Sequence, residues 1–250
     1  MMKPYQFNRT FTVQYRDVDF NERIKISSLL ALMGDAAGVS ADELGFGASY
    51  VKPKGYTFMV ANTYLEWDNP VKVGQTLQLK TWPLPPSHAI FNREYVFENE
   101  QNTPFIRATS RWCLIDVQNG KIANSKVIEN QDYSTYNTQR VIDSIQWKIP
   151  AFSPSEGECK FTLTIANSEY DYNMHVNNTR YADYCMNCFT VAELTVLSVK
   201  SFAISYVKQC REGDVLRFYR KRLDEKTYLV QGFNEQDETV VQARVVFQED

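Results

Sequence analysis

The chain repeats itself, and no other feature limits its architecture as tightly. The segment DFNERIKISSL, beginning at Asp19, aligns without a gap on DYNMHVNNTRY, beginning at Asp171, 152 positions further on. Asp19 meets Asp171, Asn21 meets Asn173, Phe20 meets Tyr172, Ile24 meets Val176 and Ser27 meets Thr179. Strand-like runs precede both copies, FTVQYRD from Phe11 and FTLTIAN from Phe161. Downstream, LEWDNPVKVGQTL from Leu65 falls on ISYVKQCREGDVL from Ile204, with Gly74 over Gly213. Three matches in one order imply two tandem units of one design. The 250 residues suffice for two modest units, each of roughly 100–150 residues.

Each copy presents the same succession: a strand, a polar loop, a helix, then four extended segments. The second helix is expected to begin near Asn178 or Thr179, both good N-caps. Its apolar stripe runs Tyr181, Tyr184, Cys185, Cys188, Phe189, Ala192, Val196 and Val199 at helical period. In the first copy, SSLLALMGDAAGVSA turns Leu29, Met33, Ala36 and Ala37 inward. The extended segments are YTFMVANTYLEW, TLQLKTW, AIFNREYVF and IRATSRWCLID, then SFAISYV, VLRFYRK, TYLVQGF and VVQARVVF. They are rich in β-branched and aromatic residues, which suit a pleated, half-buried surface. A helix wrapped by an antiparallel sheet, made twice, is an α+β architecture of the double hot-dog kind. The expected units are 1–140 and 158–250 with a linker at 141–157, and QRVIDSIQW, from Gln139 to Trp147, is a candidate helix.

Net charge is −3, so nothing global points to nucleic acid or an anionic membrane. No apolar run approaches the roughly 18–20 residues of a spanning helix, and MMKPYQFNRTFTVQYRD does not read as a signal peptide. Five cysteines at irregular spacing fit reduced thiols and a cytoplasmic location. Cys185 and Cys188 fall on the helix stripe without a second ligand pair, so packed thiols are expected rather than a metal site. Neither metal nor cofactor is expected.

The chemistry-bearing residues cluster in the second polar loop. His175 lies a few residues before a helix, and an imidazole can accept a proton near neutrality. The only other histidine, His88, follows Pro85-Pro86-Ser87 and reads as structural or surface. Backbone N–H groups at a helix start suit a developing negative oxygen, which makes the Val176 and Asn177 amides candidates. Asn173 can bond water or a carbonyl, and Asp171 can accept a proton or hold Asn173 and water in place. In the first copy Arg23 replaces His175 and Lys25 replaces Asn177; arginine cannot act as a base at physiological pH. Chemistry in the second unit and substrate binding in the first is the natural division.

DYNMHVNNTRY resembles the D-x-N-x-H-V-N-N signature of acyl-acyl carrier protein thioesterases, the plant and bacterial family that releases fatty acids from carrier protein. GYTFMVANTYLEW, the Thr81-Trp82 pair and RATSRWCLID from Arg107 are similar to that family too, in order and over nearly the whole chain. The resemblance implies catalytic roles for Asp171, Asn173 and His175, and for a Glu that precedes a Cys in a strand of the second unit. Here that pair is Gln209-Cys210, at the same spacing to Val215-Leu216. Neighbours on a strand face opposite ways, so only one of them would reach the site unless the strand bulges. Either an oriented water or Cys210 could be the nucleophile.

The implied activity is hydrolysis of fatty acyl-acyl carrier protein. The alternatives are an acyl-CoA thioesterase, another hot-dog enzyme such as a hydroxyacyl dehydratase, and a non-catalytic acyl-thioester-binding module. Carrier protein is acidic, which draws notice to Lys200, Lys208, Arg211, Arg217, Arg220, Lys221 and Arg222. Arg220 and Arg222 share one strand face and are the candidate docking pair. No nucleic acid or membrane partner is implied, and the chain is expected as a monomer or homodimer.

Overall fold

The computed structural model describes residues 4–128 and 132–249. The first unit contains β1 (Phe7–Thr12), α1 (Ile26–Glu43), α2 (Ala48–Val51), β2 (Tyr56–Trp67), β3 (Thr76–Pro83), β4 (Ile90–Glu98), β5 (Pro104–Asp116) and the short β6 (Ile122–Ala123). The second contains β7 (Glu158–Thr164), α3 (Asn178–Met186), α4 (Val191–Val196), β8 (Leu197–Tyr206), β9 (Val215–Arg222), β10 (Thr227–Phe233) and β11 (Thr239–Glu249). All strands belong to one antiparallel sheet in the order β1-β3-β4-β5-β2-β8-β11-β10-β9-β7, with β6 beside β5. The halves have the same internal order, and they meet where β2 pairs β8, Asn62 opposite Ser205 through Glu66 opposite Ser201. Two edges that would otherwise be open thereby close each other. This is the double hot-dog fold read from the repeat.

The four long strands of each unit fall on the segments read as extended. Gly74 and Gly213, matched in the sequence, adopt φ of +83° and +89° in equivalent turns, a conformation that disfavours any residue with a Cβ. α1 buries Leu29, Met33, Ala36 and Ala37 against the sheet and packs along α3. The principal core runs through both units, from Leu29 and Tyr95 to Phe202, Phe218 and Phe247.

Three local expectations are corrected. The second helix is two helices. α3 ends at Met186, and α4 restarts on a capping box in which Glu193 N donates to Thr190 Oγ1 at 3.2 Å and Thr190 N donates to Glu193 Oε2 at 2.7 Å. Ala192 and Val196 are therefore exposed, and Val199 belongs to β8. The first strand precedes FTVQYRD for most of its length, and Tyr15–Asp17 form a 3₁₀ turn. QRVIDSIQW is not helical, because its hydrogen bonds go outward to the sheet. Val141 N donates to Glu94 Oε2 at 3.1 Å, Gln146 accepts from Arg244 at 2.7 Å, and Trp147 lies under the Arg111 guanidinium at 4.1 Å.

Candidate active site

The two matched loops fold alike down to single hydrogen bonds. Asp19 Oδ1 accepts the amides of Asn21 (2.8 Å) and Arg23 (3.0 Å), and Asp171 Oδ1 accepts those of Asn173 (2.8 Å) and His175 (3.3 Å). Asp19 N donates to Arg23 O, and Asp171 N to His175 O, each at 2.8 Å. Glu22 and Met174 take the same left-handed φ, 60° and 61°. The Asp is thus first of all the residue that closes the loop in both copies.

What the loops face is different. In the first copy Asn21 Nδ2 donates to Leu194 O (2.8 Å) and Arg23 Nη1 to Leu197 O (2.9 Å), so the loop clasps the α4–β8 junction of the other unit. In the second copy the loop opens on a cavity of about 810 Å³ that Asp171, Asn173, His175, Val176, Asn177 and Gln209 all line. From there the cavity runs into the first unit, along α1 from Leu30 to Ala41 and past Phe58, Phe91, Trp112 and Ile128 to Tyr136. A register shift between Val60 and Asn62 bends β2 where it passes the site.

The structure places Asp171, Asn173, His175 and Gln209 on the wall of one cavity. Gln209 lies in irregular backbone after β8, not in a strand, and is an exposed residue at the cavity wall. Cys210 does not line the cavity: it is 2% exposed within the core, and burial raises its thiol pKa, with the Tyr181 hydroxyl in hydrogen-bond contact opposing that rise. An ionised sulfur is disfavoured there. The Asn177 amide is not available to an oxyanion, because it donates to Glu169 O at 2.8 Å, and its side chain caps Thr179 N at 3.0 Å. The amides of Val176 and Asn178 donate to no described residue, and both residues line the cavity. Lys52 went unnoticed in the sequence. It reaches across from the first unit, its Nζ donating to Asn173 Oδ1 at 2.9 Å and lying 4.3 Å from the centre of the Tyr172 ring. No motif marks it, since a lysine in a KPKG turn reads as surface.

The docking pair does not form a free basic surface. Arg220 is 14% exposed, holds Glu193 at 2.7 Å, and stacks over Phe189 and Tyr228. It pins α4 to the sheet. Arg222 folds back on its own hairpin, Nε donating to Asp224 O at 2.8 Å. Arg217 and Lys221 pair with Asp237 and Glu156, and Lys208 with Glu238. Cys185 and Cys188 are buried, with burial pushing the Cys188 thiol up to about 12. Among the described residues no His, Cys, Asp and Glu group could hold a metal, and no helix is long and apolar enough to cross a membrane.

The acyl-ACP thioesterase N-terminal domain model matches residues 4–130, and the acyl-ACP thioesterase C-terminal domain model matches residues 154–249. The chain is similar to a chloroplastic palmitoyl-acyl carrier protein thioesterase of Gossypium hirsutum, 20% identical over 84% of this chain and 54% of that one. It therefore spans about half the length of the curated relatives it matches. Two solved structures share the fold. An acyl-ACP thioesterase from Bacteroides thetaiotaomicron has TM-score 0.86 and 22% identity, covering 97% of this chain and 98% of that one. A 12:0-ACP thioesterase from Umbellularia californica has TM-score 0.88 and 17% identity, covering 98% of both chains. With both domain models matched in sequence and in order, the chain belongs to the acyl-ACP thioesterase family.

Proposed function

We propose that the protein hydrolyses the thioester of fatty acyl-acyl carrier protein, releasing free fatty acid and carrier protein in fatty acid biosynthesis. The observation that carries this reading is His175, Asn173 and Gln209 at one end of a cavity whose remainder is largely apolar and lies in the other unit. A thioester needs that pairing: a polar end for the reacting carbonyl and a dry sleeve for the chain.

In this mechanism water attacks the carbonyl carbon while His175 takes its proton. Lys52 holds the Asn173 oxygen, which leaves the Asn173 NH₂ to bond the water or the carbonyl. Gln209 orients the water as an uncharged amide. The Val176 and Asn178 amides receive the oxyanion; one such donor is worth about a hundredfold in rate. Collapse of the oxyanion breaks the C–S bond, and His175 returns the proton to the leaving sulfur. Asp171 is a positioning residue that keeps the loop closed. Lys52, exposed beside the loop, and Lys54, exposed two residues further along the same turn, supply the positive charge that acidic carrier protein would meet.

The test is a hydrolysis panel of acyl-carrier-protein substrates against matching acyl-CoAs across chain lengths. Preference for carrier-protein substrates supports the reading. Equal or better turnover of acyl-CoA would move the protein to the acyl-CoA alternative, and binding without turnover would make it an acyl-thioester-binding module.

A further inference from the structure

The first-unit end of the cavity carries a charge that an ordinary fatty chain does not need. Arg93, on the helix-facing side of β4 between Phe91 and Tyr95, is 4% exposed and lines the cavity. Its guanidinium donates through Nη1 alone, to Ser40 Oγ at 2.9 Å and Thr81 Oγ1 at 3.3 Å. Among the described residues it forms no ion pair. The neighbouring Glu94, on the opposite face, has Arg140 at 3.7 Å, and Asp35 lines the cavity without pairing with Arg93. The nearest carboxylate in its network is Glu43, reached only through Ser40 and the Tyr5 hydroxyl. Burial lowers its pKa from the ordinary value, the mark of a desolvated cation.

Bracing the C-terminal end of α1 through Ser40 uses one nitrogen. A guanidinium has five N–H donors, and Nε and Nη2 of Arg93, which are not among the buried atoms without a partner, are accessible from the cavity it lines. The surroundings are polar as well: Tyr95 and Trp112 both bond Ser110 Oγ, at 3.0 and 2.7 Å, and Tyr136 closes the same end. Arg93 is opposite Ser110, Ser110 opposite Thr63, and Thr63 opposite Ile204. Three strand spacings, about 14 Å, therefore separate Arg93 from the strand that leads to Gln209.

Given acyl-thioester hydrolysis at the other end, we infer that this cavity takes an acyl chain bearing an acceptor oxygen (hydroxyl, keto or carboxylate) remote from the thioester, with Arg93 as its donor. The residue discriminates between substrates and takes no part in the chemical step.

The experiment measures kcat/KM on acyl-carrier-protein substrates of matched length, unsubstituted, hydroxylated or carboxyl-terminated, for the unaltered protein and for Arg93→Met and Arg93→Lys. The unaltered protein should favour one of the oxygenated series by about tenfold or more, since a site with buried donors rejects chains that leave them unpaired. Arg93→Met should abolish the preference, and Arg93→Lys should retain part of it. Equal or better turnover of unsubstituted chains by the unaltered protein overturns the inference and leaves thioester hydrolysis standing, whether or not the variants fold. If no substrate is turned over, the hydrolysis reading falls. In that case, stronger thermal stabilisation by free hydroxy or dicarboxylic acids than by plain fatty acids supports Arg93's role, and its absence ends it.

Discussion

The twin loops make a controlled experiment. Asp19→Ala and Asp171→Ala each remove a carboxylate oxygen that accepts two backbone amides, at 2.8 and 3.0 Å in the first copy and 2.8 and 3.3 Å in the second. Hydrogen bonds to a charged group contribute about 1.5–3 kcal/mol each when sheltered. Both loops are part-buried, so water replaces part of the loss, and either substitution should lower stability by about 1–3 kcal/mol. The first loop also positions Asn21 and Arg23 on the carbonyls of Leu194 and Leu197. Loosening those anchors should make Asp19→Ala the more destabilising of the two by up to about 1 kcal/mol. Activity should rank the other way. Asp171→Ala displaces His175 and Asn173 and should lower kcat/KM by about a hundredfold, whereas Asp19→Ala should lose less than about threefold. Urea unfolding of both variants, with acyl-carrier-protein hydrolysis under native conditions, measures the two rankings. Equal activity losses in two folded variants would refute the assignment of chemistry to the second loop. A stability gap above about 2 kcal/mol would refute the equivalence of the loops.

The remaining predictions need only single-site variants and the same assay. His175→Ala should lower turnover by about a hundredfold or more while a non-hydrolysable acyl thioester still binds; near-normal turnover in a folded variant removes His175 from the mechanism. Cys210→Ala should keep most of the activity, and a trapped acyl group on the native Cys210 would reinstate it as nucleophile. Gln209→Glu should be tolerated or raise the rate, since it supplies the charged residue the family carries; a collapse without unfolding would mean the amide is required. Arg220→Glu should reduce stability and slow carrier-protein and short pantetheine thioesters alike, because it opposes Glu193 and frees α4. Lys54→Glu, two residues beyond Lys52 in the same exposed turn, should instead raise KM for the carrier-protein substrate alone, and an equal effect on both substrates would move docking elsewhere.

Much of the fold was legible because its determinants are local or repeated. The repeat from Asp19 and Asp171, with Gly74 and Gly213 in register, implies two like units before any contact is known. The long strands follow their aromatic and β-branched runs, and α1 follows its apolar stripe. The second helix reads as one because periodicity alone does not reveal that Thr190 and Glu193 cap a new axis. Asn177 reads as a backbone donor by its proximity to a helix start, but its amide is taken by Glu169 O.

By itself the sequence determined the loop that holds His175, because Asp171 bonds amides two and four residues ahead and needs no distant partner. Tertiary structure decided what that loop faces. Arg23 fills the first copy's contact with the other unit, whereas Lys52, 121 residues before Asn173, meets the second loop at the mouth of a cavity. It also decided that Gln209 lines the cavity while Cys210 is buried, that Arg220 pairs with Glu193, and that Arg93 forms its hydrogen bonds to Ser40 and Thr81 and no ion pair among the described residues. Each of these depends on groups far apart in the chain being brought within a few ångströms. Burial and pairing, which set whether a charge is free, neutralised or awaiting a ligand, arise only once the sheet has closed.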